Sequence, residues 1–491
     1  MSSYEYDVIV IGGGAAGLTA SGLAASFGAK TMMIERARLG GDCTWTGCVP
    51  SKTLIKAAKV AHHARAAHRF GLTDMAPEIP FARVMEYVRT VRDEVYHEAD
   101  RPEIYEDLGI DVHFGAARLA DPHTVVIEGD ATARVTARKI VLATGGRAAV
   151  PPIPGLDRVP HLTNESLFEI DAQPGAIIVV GGGPIGIEMA QAFQRLGTDV
   201  TVVDMADRIL GRDDAEHAEI LKGVLEGEGV QFVLGAGVER VEQADGQIAV
   251  YVSIGDEQRT LRADQLLLAT GRRPNIEDLG LAEAGVVFTK KGIQVDDTCQ
   301  TSQDHIYAVG DCTGEYQLTH MSEHMAKVAM SNAVLHVPSK IDRAHVPWCT
   351  FADPEVGQLG ATEQELIERG EDYEVYQFPY SKVDRAITES ETTGNIKVFA
   401  TTWRGKILGA SVLGDRAGEL ISLYAVAMKN GVTLRQISDT IHPYPTYGLA
   451  ARRAADQWYA RKQFPVVIKT VQKLFGYRGP EPKEIDPDRI V

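Results

Sequence analysis

The first apolar run of the chain, Tyr6–Ile11, is short and β-branched, the pattern of a strand buried on both faces. It breaks into Gly12-Gly13-Gly14-Ala15-Ala16-Gly17, and an Ala/Leu-rich helix follows to about Phe27. A second strand, Lys30–Ile34, ends at Glu35. The pattern then recurs: strand Ala176–Val180, the turn Gly181-Gly182-Gly183-Pro184-Ile185-Gly186, a helix to about Leu196, and strand Asp199–Val203 ending at Asp204. Later, Asn395–Leu413 alternates like a hairpin of an α/β domain. Near the end, Val467, Val471, Leu474 and Phe475 share one helical face, with Lys469 and Lys473 elsewhere on it. Packing on its own subunit or on a dimer partner is the expectation for this helix, and a peripheral membrane or other partner contact is the alternative. The Pro-rich, charged residues 480–491 are expected to be poorly ordered.

A strand, a glycine turn and a helix form a cradle for a dinucleotide pyrophosphate. Gly12 and Gly14, or Gly181 and Gly183, allow the tight turn and close passage of the phosphates, and Gly17 or Gly186 lets helix approach strand. Glu35 and Asp204 each lie 23 residues beyond the first glycine of their unit, where a carboxylate accepts ribose hydroxyls. One glycine string is a weak signal. Two copies with every part present predict two dinucleotide sites. Asp204 points to NADH rather than NADPH, since it would repel a 2'-phosphate; Arg208 and Arg212 are the downstream residues that could answer one.

Directly after the first unit comes Gly40-Gly41-Asp42-Cys43-Thr44-Trp45-Thr46-Gly47-Cys48-Val49-Pro50-Ser51-Lys52. If this segment opens a helix, its first turn brings Cys43 and Cys48 within disulfide reach, and the helix N-terminus depresses a thiol pKa. Pro50 suits a first turn, and the residues after it are helical in pattern. A zinc site would need further nearby ligands, and His62 and His63 lie a helix-length away, so no metal site is assigned. Two inert buried thiols remain the plain alternative, and the isolated Cys299, Cys312 and Cys349 read that way. Placed beside the first unit, the pair instead predicts exchange of electrons with a flavin, FAD, which the second unit's nicotinamide would reduce.

Composition narrows the picture. A length of 491 residues implies several domains. A formal charge of -17 argues against nucleic acid, whose phosphates demand basic patches. No long apolar stretch predicts an integral membrane segment, and the start lacks a basic signal-like region. Five scattered cysteines do not form a secreted disulfide framework, which points to the cytoplasm.

These strings resemble the pyridine-nucleotide disulfide oxidoreductase family, within it the dihydrolipoamide dehydrogenase and mercuric reductase group. The resemblance spans about residues 4–460 and rests on the Cys43–Lys52 string, Ala143-Thr144-Gly145, Ala269-Thr270-Gly271-Arg272-Arg273-Pro274-Asn275, Tyr307-Ala308-Val309-Gly310-Asp311, and Phe351-Ala352-Asp353-Pro354-Glu355-Val356. It implies an α/β fold with two Rossmann-like domains and a C-terminal α/β dimerisation domain. The implied segments are FAD 1–150 and 282–342, NAD(P)H 151–281, interface 343–462, and an extension 463–491. It further implies a homodimer with the active site at the subunit interface. FAD contacts are implied at Gly12, Gly14, Gly17, Glu35, Gly41, Lys52, Thr144, Gly145, Gly310 and Asp311, the last on the ribityl chain. Nicotinamide contacts are implied at Gly181, Gly183, Gly186, Glu188, Asp204 and Gly271. Lys52 would pair with Glu188 beside the flavin, Cys48 would be the flavin-proximal sulfur, and Cys43 the interchange thiol.

The chain departs from that group where its members carry a His-x-x-x-x-Glu pair. Tyr444 and Leu449 occupy those positions within Thr440-Ile441-His442-Pro443-Tyr444-Pro445-Thr446-Tyr447-Gly448-Leu449. Leucine cannot orient an imidazole, and a phenol is a poor base at neutral pH. The tyrosine resembles that of mercuric reductase, but the last cysteine is Cys349, so the C-terminal cysteine pair of those enzymes is absent. The expected acceptor is therefore a metal ion, a quinone, an oxidant or an unusual disulfide. The alternatives are Hg(II) reduction, dihydrolipoamide chemistry with His442 as surrogate base, and a redox-inactive interaction protein keeping only the fold.

Overall fold

The computed structural model describes residues 4–129, 132–462 and 465–479, so the end expected to be poorly ordered lies outside the described residues. Two compact units emerge. One comprises Met1–Ala61, Pro77–Met205 and Gln231–Asp342; the other comprises His62–Ala76, Ala206–Val230 and Arg343–Val491.

In the first unit, β1 (Tyr6–Ile11) leads through the glycine turn into α1 (Ala15–Ser26) and then β2 (Thr31–Glu35). Beyond it lie a single helical turn α2 (Gly41–Trp45) and the long α3 (Cys48–Arg65), which runs on past the unit's boundary. β1 pairs in parallel with β2 on one side and with β3 (Ala133–Leu142) on the other. Strands Ile110–Phe114 and Ile306–Ala308 join β2 and β3 in parallel, and two antiparallel strands complete seven. The ribbon strand β4 (Gly146–Ala148) follows. A second sheet of four parallel strands has β5 (Ala176–Val180) inside, followed by α4 (Pro184–Leu196) and β6 (Asp199–Val203). Strand β7 (Arg272–Pro274) pairs antiparallel with β4. Ile9, Val10, Ile178 and Val202 are buried, as strands covered on both faces require. The strand readings at β1, β5 and β6 match residue for residue. β2 runs one residue later than Lys30–Ile34, which takes Glu35 into the strand.

The second unit holds a five-stranded antiparallel sheet in the order Pro347–Thr350, Glu355–Gly360, Ile407–Gly414, Asn395–Ala400, Glu374–Pro379. Its third and fourth strands are the hairpin read from the alternation. Helices Ala417–Lys429 and Gly448–Lys462 pack on this sheet over a core that includes Tyr376, Tyr380 and Tyr424. A polar cluster is buried in the same unit. Asp214 caps helix Ala215–Gly227 through the Glu216 and His217 N–H groups and pairs with Lys397 Nζ at 3.1 Å. His217 is fully buried, with its ring nitrogens 2.7 Å from Ser411 Oγ and 2.8 Å from Asn395 Oδ1. The tail forms helix Pro465–Phe475, as its spacing predicts, but Val471, Leu474 and Phe475 are exposed rather than packed on their own chain. No described helix is long and apolar enough to cross a membrane.

Burial disfavours the imidazolium of His217 and holds its pKa below the ordinary 6.5, against the pull of Asp214. A depressed histidine binds its proton more readily in the unfolded chain. Its contribution to stability is therefore complete above pH 6.5 and declines as pH falls from that value toward the folded pKa. In urea unfolding across this window, His217→Gln is expected to lose less stability on acidification than the parent. An unchanged pH slope would show that His217 does not titrate on unfolding.

Candidate active site

The two glycine turns are built alike. Gly12 and Gly181 have φ of +111° and +118°, and a Cβ on either would lie 2.2 Å from the Ala143 carbonyl oxygen or 2.3 Å from that of Ala269. A side chain is excluded twice over, by conformation and by space. Gly14 and Gly183 are different. Their backbones are extended, and a Cβ would meet nothing closer than 3.7 Å at Gly14 and nothing within 4 Å at Gly183. Glycine there answers no demand of the protein's own packing, and it leaves the helix N-terminus bare for a phosphate to approach. At the far end of each unit the acid is pre-set. Gly13 N–H donates to Glu35 Oε2 at 2.7 Å, and Gly182 N–H donates to Asp204 Oδ2 at 2.5 Å. The residues present thus fit two dinucleotides.

The remaining glycine-threonine strings meet around the first turn. β4 and β7 pair, Thr144 Oγ1 donates to the Asn275 carbonyl at 2.7 Å, and Asn275 Nδ2 returns a bond to the Thr144 carbonyl at 3.0 Å. Gly145 and Gly271 lie in the connections leading into these strands. Gly41 Cα packs beside Gly14, where a Cβ on Gly41 would come within 2.7 Å. Gly310 and Asp311 form the turn after strand Ile306–Ala308, a Cβ on Gly310 would approach Ala16 of α1, and burial pushes the Asp311 carboxyl upward.

Cys43 lies in α2 and Cys48 is the first residue of α3; both are free thiols, and their sulfurs are hydrogen-bonded. The loop between them is tied down. Thr44 Oγ1 donates to Asp100 Oδ2 at 2.6 Å, and the Trp45 indole donates to the Leu39 carbonyl at 2.7 Å. Thr319 Oγ1, at the start of helix Thr319–Ala333, is 3.5 Å from Cys48 Sγ. The Cys43 hydrogen bond leads in lowering the Cys48 pKa to about 6; Thr319 and the Lys52 charge add to it, while burial and Asp42 oppose. Cys43 moves the opposite way, because it donates that bond and is partly withdrawn from water. The opposed shifts favour the proton on Cys43 and the thiolate at Cys48. One turn along α3, Lys52 Nζ is 2.8 Å from Glu188 Oε2, which α4 presents from a buried position. The structure brings this pair together across 136 residues of sequence.

His442 and Tyr444 belong to the second unit. His442 Nδ1 lies 2.9 Å from the Thr440 carbonyl, and Tyr444 is exposed with its hydroxyl hydrogen-bonded to Asp384, which raises the phenol pKa. Among the described residues no group of three or more His, Cys, Asp or Glu side chains is arranged to hold a metal ion. Sequence reasoning missed Thr319, because a lone threonine far along the chain carries no signal of its own.

Two dinucleotide cradles and a dithiol at a helix start define a flavin- and nicotinamide-using oxidoreductase. Residues 6–326 match the family model described as pyridine nucleotide-disulphide oxidoreductase, and residues 346–455 match that family's dimerisation domain. The chain belongs to this family. It is 36% identical over 456 residues to a mercuric reductase of Lysinibacillus sphaericus, covering 92% of this chain and 82% of that one. It is 32% identical to a dihydrolipoyl dehydrogenase of Bacillus subtilis (strain 168), covering 92% and 97%. Among solved structures it resembles the Cu(II) complex of a mutant of the HOCl-induced flavoprotein disulfide reductase RclA from Escherichia coli, with a TM-score of 0.84 and 28% identity, over 92% of this chain and 99% of that one.

In reduced protein titrated with iodoacetamide, Cys48 should reach half-maximal reactivity near pH 6, while Cys43 reacts only at strongly alkaline pH. Cys43→Ala, which removes the main stabilising hydrogen bond, should raise the Cys48 midpoint more than Lys52→Met does. The reverse order would assign the depressed pKa to charge rather than to the shared proton.

Proposed function

We propose that the chain passes electrons from NADH through FAD to Cys43 and Cys48, and from this dithiol to a thiophilic metal ion. Bound FAD supplies the two-electron relay between nicotinamide and sulfur. Gly12, Gly14, Gly17 and Glu35 would hold it, with Asp311 toward the ribityl chain; Gly181, Gly183, Gly186 and Asp204 would hold NADH. Lys52, fixed by Glu188, sets a positive charge beside the Cys48 thiolate. The interface carrying Tyr444 is that of a homodimer, consistent with the matched dimerisation domain.

The observation that carries this reading is the proton inventory. A hydride delivered to the disulfide leaves one thiol and one thiolate, the state that the opposite pKa shifts of Cys43 and Cys48 favour. Re-forming the S–S bond releases two electrons and one proton. A disulfide acceptor consumes two electrons and two protons, so its reduction needs a further acid. Tyr444, with its pKa raised by Asp384, does not relay a proton at neutral pH. A metal ion takes only the electrons, and the single proton leaves to solvent. The resemblance to a mercuric reductase and to a Cu(II)-binding reductase supports the same acceptor class.

Asp204 and the engagement of both downstream arginines support NADH. Arg208 donates to the Gly211 and Asp213 carbonyls, and Arg212 lies over the Trp348 ring. A kcat/KM preference for NADH of about tenfold or more, ~1.4 kcal/mol, is expected, and equal use of NADPH would remove the assignment.

Two-electron reduction should produce long-wavelength thiolate-to-flavin absorbance. Cys48→Ala should abolish it, and Cys43→Ala should keep it above the raised Cys48 midpoint. With acceptors compared at equal concentration, NADH-dependent reduction of Cu(II) or Hg(II) should outpace that of lipoamide and glutathione disulfide by about tenfold or more. Rapid lipoamide turnover that disappears in His442→Ala would instead make His442 the acid and overturn the metal reading.

A further inference from the structure

The residue just before Cys43 is charged, and none of its carboxylate is idle. Asp42 Oδ1 accepts from the Thr46 hydroxyl at 2.5 Å and from Asn164 Nδ2 at 3.0 Å, closing the loop between the cysteines upon itself. Asp42 Oδ2 pairs with Arg272 Nη1 at 2.8 Å. The other arm of the same guanidinium, Nη2, reaches Asp311 Oδ2 at 3.3 Å and the Gly146 carbonyl at 3.2 Å. Arg272 is largely buried, and its backbone is held by the β4–β7 ribbon, in which it pairs with Ala148. A planar fork of fixed donors suits such a bridge, where a lysine would serve one carboxylate at a time.

We infer that Arg272 is a positioning residue that clamps the Cys43–Cys48 loop, through Asp42, to the turn that carries Asp311. The inference rests on the dithiol and FAD roles proposed above. The clamp has two effects. Geometrically, the loop and the flavin-side turn share one rigid fastener, so a shift of either is felt by the other. Electrostatically, Asp42 opposes the Cys48 thiolate while Lys52 favours it, and the guanidinium screens that opposing charge where it arises. Glu188 acts on this balance through its ion pair with Lys52.

The test uses FAD-loaded protein whose thiols have been reduced with dithiothreitol, with iodoacetamide as probe and mass spectrometry assigning each cysteine. Arg272→Gln should raise the midpoint of Cys48 alkylation by about one pH unit, which slows alkylation about tenfold at about pH 5, below both midpoints. In the Asp42→Asn background the same change should alter the rate by less than about twofold, because no charge is left to screen. Arg272→Lys should recover part of the rate. Release of FAD on dilution, followed by its fluorescence, should quicken in Arg272→Gln. Equal slowing in both backgrounds would show that Arg272 acts without Asp42, and no slowing in either would remove the clamp. If Arg272→Gln does not fold, Arg272→Lys carries the same paired comparison. Anaerobic NADH titration of the wild type separates the underlying reading. Uptake of no electrons beyond those of the flavin would sink the dithiol role, whereas alkylation of chemically reduced thiols reports on the clamp regardless.

Discussion

A backbone carbonyl standing almost where a β-carbon would be is the constraint on which both dinucleotide units rest. The Ala143 and Ala269 oxygens press so close to Gly12 and Gly181 that no other residue fits. The glycine carbonyls in turn crowd Gly17 and Gly186, where a Cβ would come within 2 Å. These contacts seat each helix directly on its sheet and aim its N-terminus past Gly14 or Gly183. The placement of Glu35 and Asp204, each bonded to the N–H of the second glycine, follows from the same turn.

The first unit also delivers the chain into the dithiol loop, so the sulfur chemistry inherits its rigidity. Every residue from Asp42 to Thr46 donates or accepts a side-chain hydrogen bond within this loop or to its surroundings. A loop held this firmly keeps two sulfurs at bonding distance of one proton, and that shared proton sets which sulfur is the thiolate. Thr319 bonds to both thiols and Lys52 adds to the lowering at Cys48, so the divergence of the two comes chiefly from the proton they share.

The fold was legible because its signals are local. An unbroken apolar run ending in a glycine turn admits few structures, and the strands at Tyr6–Ile11, Ala176–Val180 and Asp199–Val203 lie where the pattern put them. The closeness of Cys43 and Cys48 was legible for the same reason. Lys52 and Glu188 required the family resemblance, since their ion pair spans most of a domain in sequence. The joining of Asp42, Arg272 and Asp311, and the Thr319 contact, were not legible, because a single charge or hydroxyl carries no mark of its partner and only the folded chain shows what it faces. His442 and Tyr444 illustrate the opposite limit: their sequence neighbourhood departs from the family pattern, and the single chain shows only the Thr440 carbonyl beside His442 and Asp384 bonded to Tyr444.

The buried cluster around Lys397 bears on how such chains can be recombined. Helix Ala215–Gly227 falls, by position in the chain, between two strands of the second dinucleotide sheet, yet Asp214 and His217 satisfy groups on the strands Asn395–Ala400 and Ile407–Gly414. A chimera that swapped the nicotinamide-binding segment as one block would carry off the carboxylate and the imidazole together. Lys397, Asn395 and Ser411 would then sit in the interior with foreign neighbours, and a buried ammonium without its anion is among the costliest groups a core can hold. Viable crossovers in this chain must keep that helix with the C-terminal sheet, so the inheritable module is defined by buried charge rather than by the order of its strands.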